Sequence, residues 1–165
     1  MAAVNRFFGD VYPQHPDDNT VKEVRLQAAG MSYPGYGDRH VLLEWTNRVD
    51  DKGQIVTQIL QLTGQSGNYS YYAPVAKYRS ASSRERNAFY SLGSFTRVQR
   101  DQILMLAKSV QFSKSSTTNG CRVWTRDLLE AMVEAKLISV AKFKEFDEGV
   151  PLVKRVAEAE ESSNE

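Results

Sequence analysis

Two side chains of this chain can together form and break acyl bonds, the thiol of Cys121 and the imidazole of His40. Cys121 is the only cysteine. It follows Ser115-Ser116-Thr117-Thr118-Asn119-Gly120, a run with no apolar residue, and opens a pattern in which Trp124, Leu128, Ala131, Met132 and Ala135 recur at helical spacing. Cys121 shares that apolar stripe. Thr118 or Asn119 stands where a side chain caps a first turn. A thiol at this place sits at the positive end of the helix dipole. Amides without intrahelical acceptors there favour thiolate over thiol and can hold an oxyanion. A nucleophilic cysteine needs such surroundings. The competing reading is a small buried hydrophobe, the commoner role of a free cysteine.

A thiol nucleophile also needs an imidazole within hydrogen-bond reach and a polar group to hold that imidazole. His40 falls in a strand over Arg39 to Asn47, with His40, Leu42 and Glu44 on one face and Val41, Leu43 and Trp45 on the other. Asp50-Asp51-Lys52-Gly53 makes a turn, and Ile55 to Leu62 returns as the next strand. If Val49 pairs with Gln54, Leu42 pairs with Gln61 and His40 with Thr63. Gln61 is then diagonal to His40 on one face; a one-residue slip replaces it by Gln58 or Leu60. Taken alone, His40 also reads as an ordinary strand residue. His15, among proline-containing turns, reads as exposed. One cysteine and two histidines without clustered carboxylates supply no closed metal-ligand set, so neither metal nor cofactor is expected. A serine hydrolase is disfavoured for want of a nucleophile elbow.

The other segments must position this pair. Residues 1–20 read as an irregular lead-in, because prolines and short polar residues favour turns. Val21 to Ala28 reads as a strand with Val24, Leu26 and Ala28 on one face. Gly30 to Asp38 is a loop whose Tyr33 and Tyr36 can rim a pocket or simply connect strands. Gly64 to Tyr69 is a turn or open loop, and Ser70 to Tyr78 a further strand. Ser83 to Leu92 reads as a short helix ended by Gly93. Thr96 with Gln99 forms a capping box for a helix near 97–110 with Val98, Ile103, Leu106 and Val110 as its apolar positions. The Cys121 helix runs to about Lys136. Ser139 can cap a last helix carrying Val140, Phe143 and Phe146. The expected fold is α+β, an antiparallel sheet packed by the Cys121 helix. Residues 1–156 form one domain, and 157–165 an acidic disordered tail.

The chain has 165 residues, enough for a substantial core, with 21 basic and 20 acidic residues. That balance names no partner. The lone cysteine fits a reducing compartment, no segment is long and apolar enough for a membrane, and the first residues do not read as a secretory signal; the cytoplasm is the expected location. Between Lys77 and Lys114 eight basic residues stand against two acidic ones, among them Arg79, Arg84, Arg86, Arg97 and Arg100. Interleaved aromatics make this a candidate surface for RNA or another polyanion; the plainer reading is a solvated surface.

The order of histidine strand, returning strand and cysteine helix resembles the circularly permuted papain-like superfamily, which includes lecithin retinol acyltransferase-like enzymes and relatives of bacterial cell-wall peptidases. The resemblance covers roughly residues 21–138. It is carried by His40 in Arg39-His40-Val41-Leu42-Leu43-Glu44-Trp45, by the return Ile55 to Leu62, and by Gly120-Cys121-Arg122-Val123-Trp124. Gly-Cys-Arg followed by an aromatic is also similar to fungal proteins of this size. The resemblance implies Cys121 as nucleophile, His40 as base, and Gln61, or Thr63 by another register, as the third polar group. Trp124, Tyr33, Tyr36 and the five arginines would then contact substrate. The implied activity is thiol-dependent acyl transfer or amide hydrolysis on a small-molecule or acyl-carrier substrate. A coenzyme A thioester or an aminoacyl-tRNA donor, as in cyclic dipeptide synthesis, would use both thiol and arginines. A non-catalytic binding module on the same scaffold is the alternative. The chain departs from the pattern in placing Gly120 between Asn119 and the cysteine, in lacking a second histidine in the triad, and in lacking a membrane anchor.

Overall fold

The computed structural model describes residues 10–28, 40–79, 88–149 and 152–156. Tyr33, Tyr36, Arg84, Arg86 and the tail 157–165 lie outside them. The chain is α+β, as its patterning predicts. Strands β1 (Lys22–Ala28), β2 (Val41–Val49), β3 (Ile55–Leu60), β6 (Val75–Tyr78) and β7 (Ala88–Phe95) form an antiparallel sheet in the order β6-β3-β2-β1-β7. Strands β4 (Leu62–Gln65) and β5 (Asn68–Tyr71) form a separate hairpin. Three helices follow: α1 (Arg97–Ser109), α2 (Cys121–Glu134) and α3 (Val140–Gly149).

Alternation decides which side chains face the helices. Val24, Leu26 and Ala28 of β1 and Val41, Leu43 and Trp45 of β2 are all buried. They join one apolar cluster with Ile103 of α1, with Trp124, Leu128, Leu129 and Met132 of α2, and with Phe146 of α3. Helix α2 is central, touching β2, β4 and both other helices. Its Arg126 is bound to Asp147 at 2.9 Å and lies over Phe143, which fixes α3 against it.

The α1 capping box forms as expected: the Thr96 hydroxyl accepts from the Gln99 amide, and the Gln99 side chain accepts from the Thr96 amide. Its buried face is Arg100, Ile103 and Ala107, whereas Val98 is 77 % exposed and plays no part in the core. The helix expected over Ser83 to Leu92 is corrected for its described portion: Ala88 onward is β7, paired with β1 from Ala88–Ala28 to Phe95–Lys22. The main-chain groups of an otherwise open β1 edge outweigh local helix preference here. Gly93 takes φ 125° beside the β1–β7 bulge at Val24/Arg25, a conformation closed to most other residues. The expected Ser70–Tyr78 strand is two strands, β5 and β6, divided at Ala73-Pro74.

The lead-in is anchored where it is described. Asp17, 8 % exposed, receives Arg100 Nε and Nη2 at 2.9 and 3.0 Å, and Lys22 Nζ lies 2.9 Å away. His15 is half-buried, its Nε2 3.1 Å from the Tyr78 hydroxyl, rather than exposed.

Candidate active site

Cys121 is the first residue of α2, and His40 immediately precedes β2. Both are partly buried, and their side chains are hydrogen-bonded to each other. The Val41 main chain joins them. Its backbone bonds the Cys121 sulfur, and its carbonyl lies 3.4 Å from the Thr125 hydroxyl, one turn further along α2. The start of β2 is thus docked on the first turn of the cysteine helix, so the imidazole meets the thiol as a consequence of backbone placement.

His40 Nε2 is hydrogen-bonded to Gln61 Oε1. An amide oxygen only accepts, so Nε2 carries the proton. That leaves Nδ1 as the nitrogen available to sulfur and, in neutral imidazole, as the base. Gln61 sits between β3 and β4, flanked by Leu60 and Leu62, which are 0 % and 1 % exposed. The register that brings it there has two parts. Next to the turn, Val49 pairs with Ile55, one residue away from the expected Gln54. A bulge at Thr46/Arg48 then shifts the pairing, giving Leu43–Leu60. One further step in that register sets Gln61 opposite Leu42 and diagonal to His40. Thr63, the alternative third group, instead donates to the Ser70 carbonyl at 2.8 Å within the β4–β5 hairpin.

Burial pushes the Cys121 thiol up, but the hydrogen bond from His40, the charge of His40, the Val41 backbone and the nearby Arg122 together outweigh it. The thiol is held below its ordinary value. For His40, burial favours the neutral ring, yet the hydrogen bond and charge of Cys121 and the bond to Gln61 prevail, and its value is raised. Each shift favours the charged form of its own group, thiolate for Cys121 and imidazolium for His40.

The expectation of a Thr118 or Asn119 cap is corrected. Gly120 is the N-cap of α2, with no side-chain cap hydrogen bond. The Asn119 amide is engaged elsewhere: its Nδ2 donates to the Val156 carbonyl at 2.8 Å, and its Oδ1 accepts from the Val156 amide at 2.9 Å. The polar run before the cysteine braces itself, with Ser116 Oγ accepting from the amides of Thr118 and Asn119. The hairpin holds it from outside: Gly67 and Tyr69 amides donate to the carbonyls of Ser116 and Lys114, each at 2.8 Å.

Trp124 is 1 % exposed and packs on Tyr71 with ring centroids 5.3 Å apart, beneath the site rather than open to a substrate. The described arginines of the basic stretch are each held by carboxylates. Arg79 is paired with Glu44, Arg97 lies 3.0 Å from Asp101, and Arg100 is fully buried against Asp17. These contacts bring none of the three to Cys121. A surface cleft of about 370 Å³, lined by Lys22, Glu23, Arg25, Trp45 and Thr46, lies four to five residues along β2 from Val41 and is separate from the thiol. Among the described residues no three His, Cys, Asp or Glu side chains are grouped to hold a metal ion, and no helix is long and apolar enough to cross a membrane.

Sequence reasoning missed Tyr69, read only as part of a turn. A Cβ built on Gly120 would stand 2.6 Å from the Tyr69 hydroxyl, so glycine at that position makes room for the phenol. The available signal was Gly120 itself, placed directly before the candidate nucleophile.

For a Cys121 that acts as a nucleophile through His40, Gln61→Leu is expected to retain the fold and to slow turnover by roughly ten- to a hundredfold. That is less than the ~10⁴-fold loss known for disabling a charged orienting carboxylate, because a neutral amide sets ring orientation and tautomer without supplying charge. Steady-state rates at unchanged melting temperature check it. Comparison with protein-family models, curated proteins and solved structures finds no match for this chain.

Proposed function

We propose that the chain is a thiol-dependent acyl-transfer enzyme or amide hydrolase, on a scaffold of the permuted papain-like kind, with Cys121 as nucleophile, His40 as base and Gln61 as the group that holds His40. The observation that carries this reading is that His40 is bonded at once to Gln61 and to a thiol at the first residue of a helix. Three elements distant in sequence supply the three groups.

In the first step His40 Nδ1 takes the thiol proton. The sulfur attacks the carbonyl carbon of an ester, thioester or amide, and a C–S bond forms as the carbonyl oxygen becomes an oxyanion. The Cys121 amide, at the helix N-terminus, is placed to stabilise that charge. Collapse breaks the bond to the leaving group, which receives the proton from His40. An amine or water then attacks the thioester, gives its proton to His40, and releases the thiol. The described arginines, engaged by carboxylates, lend no support to a polyanionic carrier, so the donor is proposed only as an activated acyl group.

Incubation with p-nitrophenyl acetate followed by intact-mass measurement tests the reading. The expected result is one acetyl adduct on Cys121, absent from Cys121→Ala. No adduct, or iodoacetamide reactivity no faster than that of N-acetylcysteine from pH 5 to 9, would overturn it.

A further inference from the structure

Tyr69 is the residue the proposed chemistry has not used, and its placement rests on several independent contacts. Its phenol stands against Gly120, with Oη 2.6 Å and Cζ 3.3 Å from where a Cβ would be. Its main chain is bonded to Lys114, and the neighbouring Gly67 to Ser116, so the β4–β5 hairpin is fixed to the loop that delivers the nucleophile. Tyr71, on the same face of β5, packs on Trp124, one turn into α2. The hairpin therefore lies over the first turn of the cysteine helix at two points. The first main-chain bond within α2 is from the Trp124 amide to the Gly120 carbonyl at 3.0 Å, and no side chain caps the turn. The Cys121 amide and the Tyr69 hydroxyl thus flank the same glycine.

We infer that the Tyr69 hydroxyl is the second donor to the oxyanion formed when Cys121 attacks an acyl carbonyl, beside the Cys121 amide. This inference rests on the function proposed above. As the C–S bond forms, the carbonyl π electrons move to oxygen, and that oxygen accepts hydrogen bonds from the Cys121 N–H and the Tyr69 O–H. Both protons stay on their donors. When the tetrahedral species collapses, the electron pair returns to re-form the carbonyl and the leaving group departs. A phenol is suited to this task because it donates strongly while remaining neutral at physiological pH. It also explains the glycine before the nucleophile: any side chain there would displace the donor.

The experiment compares two reactions of the same sulfur. Iodoacetamide alkylation passes through no oxyanion, whereas acylation by p-nitrophenyl acetate does. For Tyr69→Phe the expected result is an alkylation rate and pH profile within about twofold of wild type, and acylation slower by roughly a hundredfold, the scale of losing one oxyanion donor. Gly120→Ala, which crowds Tyr69 without removing it, is expected to lower acylation in the same selective way. Equal acylation in Tyr69→Phe and wild type would overturn the inference and leave the proposed function standing. Parallel loss of alkylation and acylation would also overturn it, since Tyr69 would then only position the nucleophile loop. A wild-type protein that is alkylated but never acylated would remove the proposed function, and this inference with it.

Discussion

His40→Ala is expected to slow acylation of Cys121 by roughly 10²- to 10⁴-fold, the contribution of a positioned proton-transfer group. The thiol should respond in a more revealing way. His40 accounts for the two largest influences lowering the Cys121 value, and burial opposes them. With the imidazole gone, burial remains while only Val41 and Arg122 act against it. The inflection in iodoacetamide reactivity should therefore move upward, from below that of N-acetylcysteine to well above the wild-type position. The sign follows from the coupling. In wild type the lowered cysteine value brings the thiolate in at lower pH, and the raised histidine value keeps the imidazolium to higher pH. Acylation that depends on His40⁺ to protonate the leaving group falls above that second value. A profile for His40→Ala that overlays wild type would show that the two groups do not interact.

Asp17→Ala should have the largest effect on stability, about 3–5 kcal/mol, the usual cost of leaving one member of a buried ion pair alone. Arg100 is 0 % exposed, and its guanidinium also donates to the carbonyls of Phe95 and Asp18 at 2.7 and 2.9 Å, so it cannot swing into water without breaking those bonds. At this chain length the loss corresponds to a melting temperature lower by roughly 10 °C. Burial pushes the Asp17 carboxyl up, but bonds to Arg100 and Lys22, and their charges, hold it below the ordinary carboxylate value. A depressed folded-state value gives stability that is present above the unfolded value of about 4 and lost as pH falls through the folded one. Wild type should therefore approach the variant only in strong acid. The double variant Asp17→Leu/Arg100→Met should be more stable than Asp17→Ala, because no buried charge is left unpaired. Calorimetry of the three proteins at pH 7 and pH 3 checks both statements.

Much of this arrangement is legible in the residues because it is local. Thr96 and Gln99 announce α1 through a bond pattern that spans three residues. A lone cysteine at the junction of a polar run and an apolar stripe announces α2. Val24, Leu26 and Ala28 show a buried face by alternation alone. The illegible parts all depend on distant partners. Ala88 to Phe95 carries no strong strand pattern and becomes a strand because β1 has an open edge. Asn119 is a good capping residue by type, yet Val156, 37 positions away, claims both ends of its amide. Arg100 reads as a surface charge on a helix and is buried because Asp17, 83 positions earlier, meets it. Tyr69 gains its place from a hairpin that turns back onto the loop before Cys121.

The bulge in β2 acts as a frame correction. The turn at 50–54 closes the hairpin in one pairing frame, with Val49 opposite Ile55, and the end next to His40 runs in another, with Leu43 opposite Leu60. Carried through unchanged, the frame of the turn would set Leu43 opposite Gln61 and turn its amide toward the core, away from His40. Asn47 supplies the extra residue, and it is pinned on both sides: its carbonyl accepts from Lys22 Nζ, and its side chain donates to the His15 carbonyl. A shift in loop length at 50–54 thus meets a fixed stop between itself and Gln61.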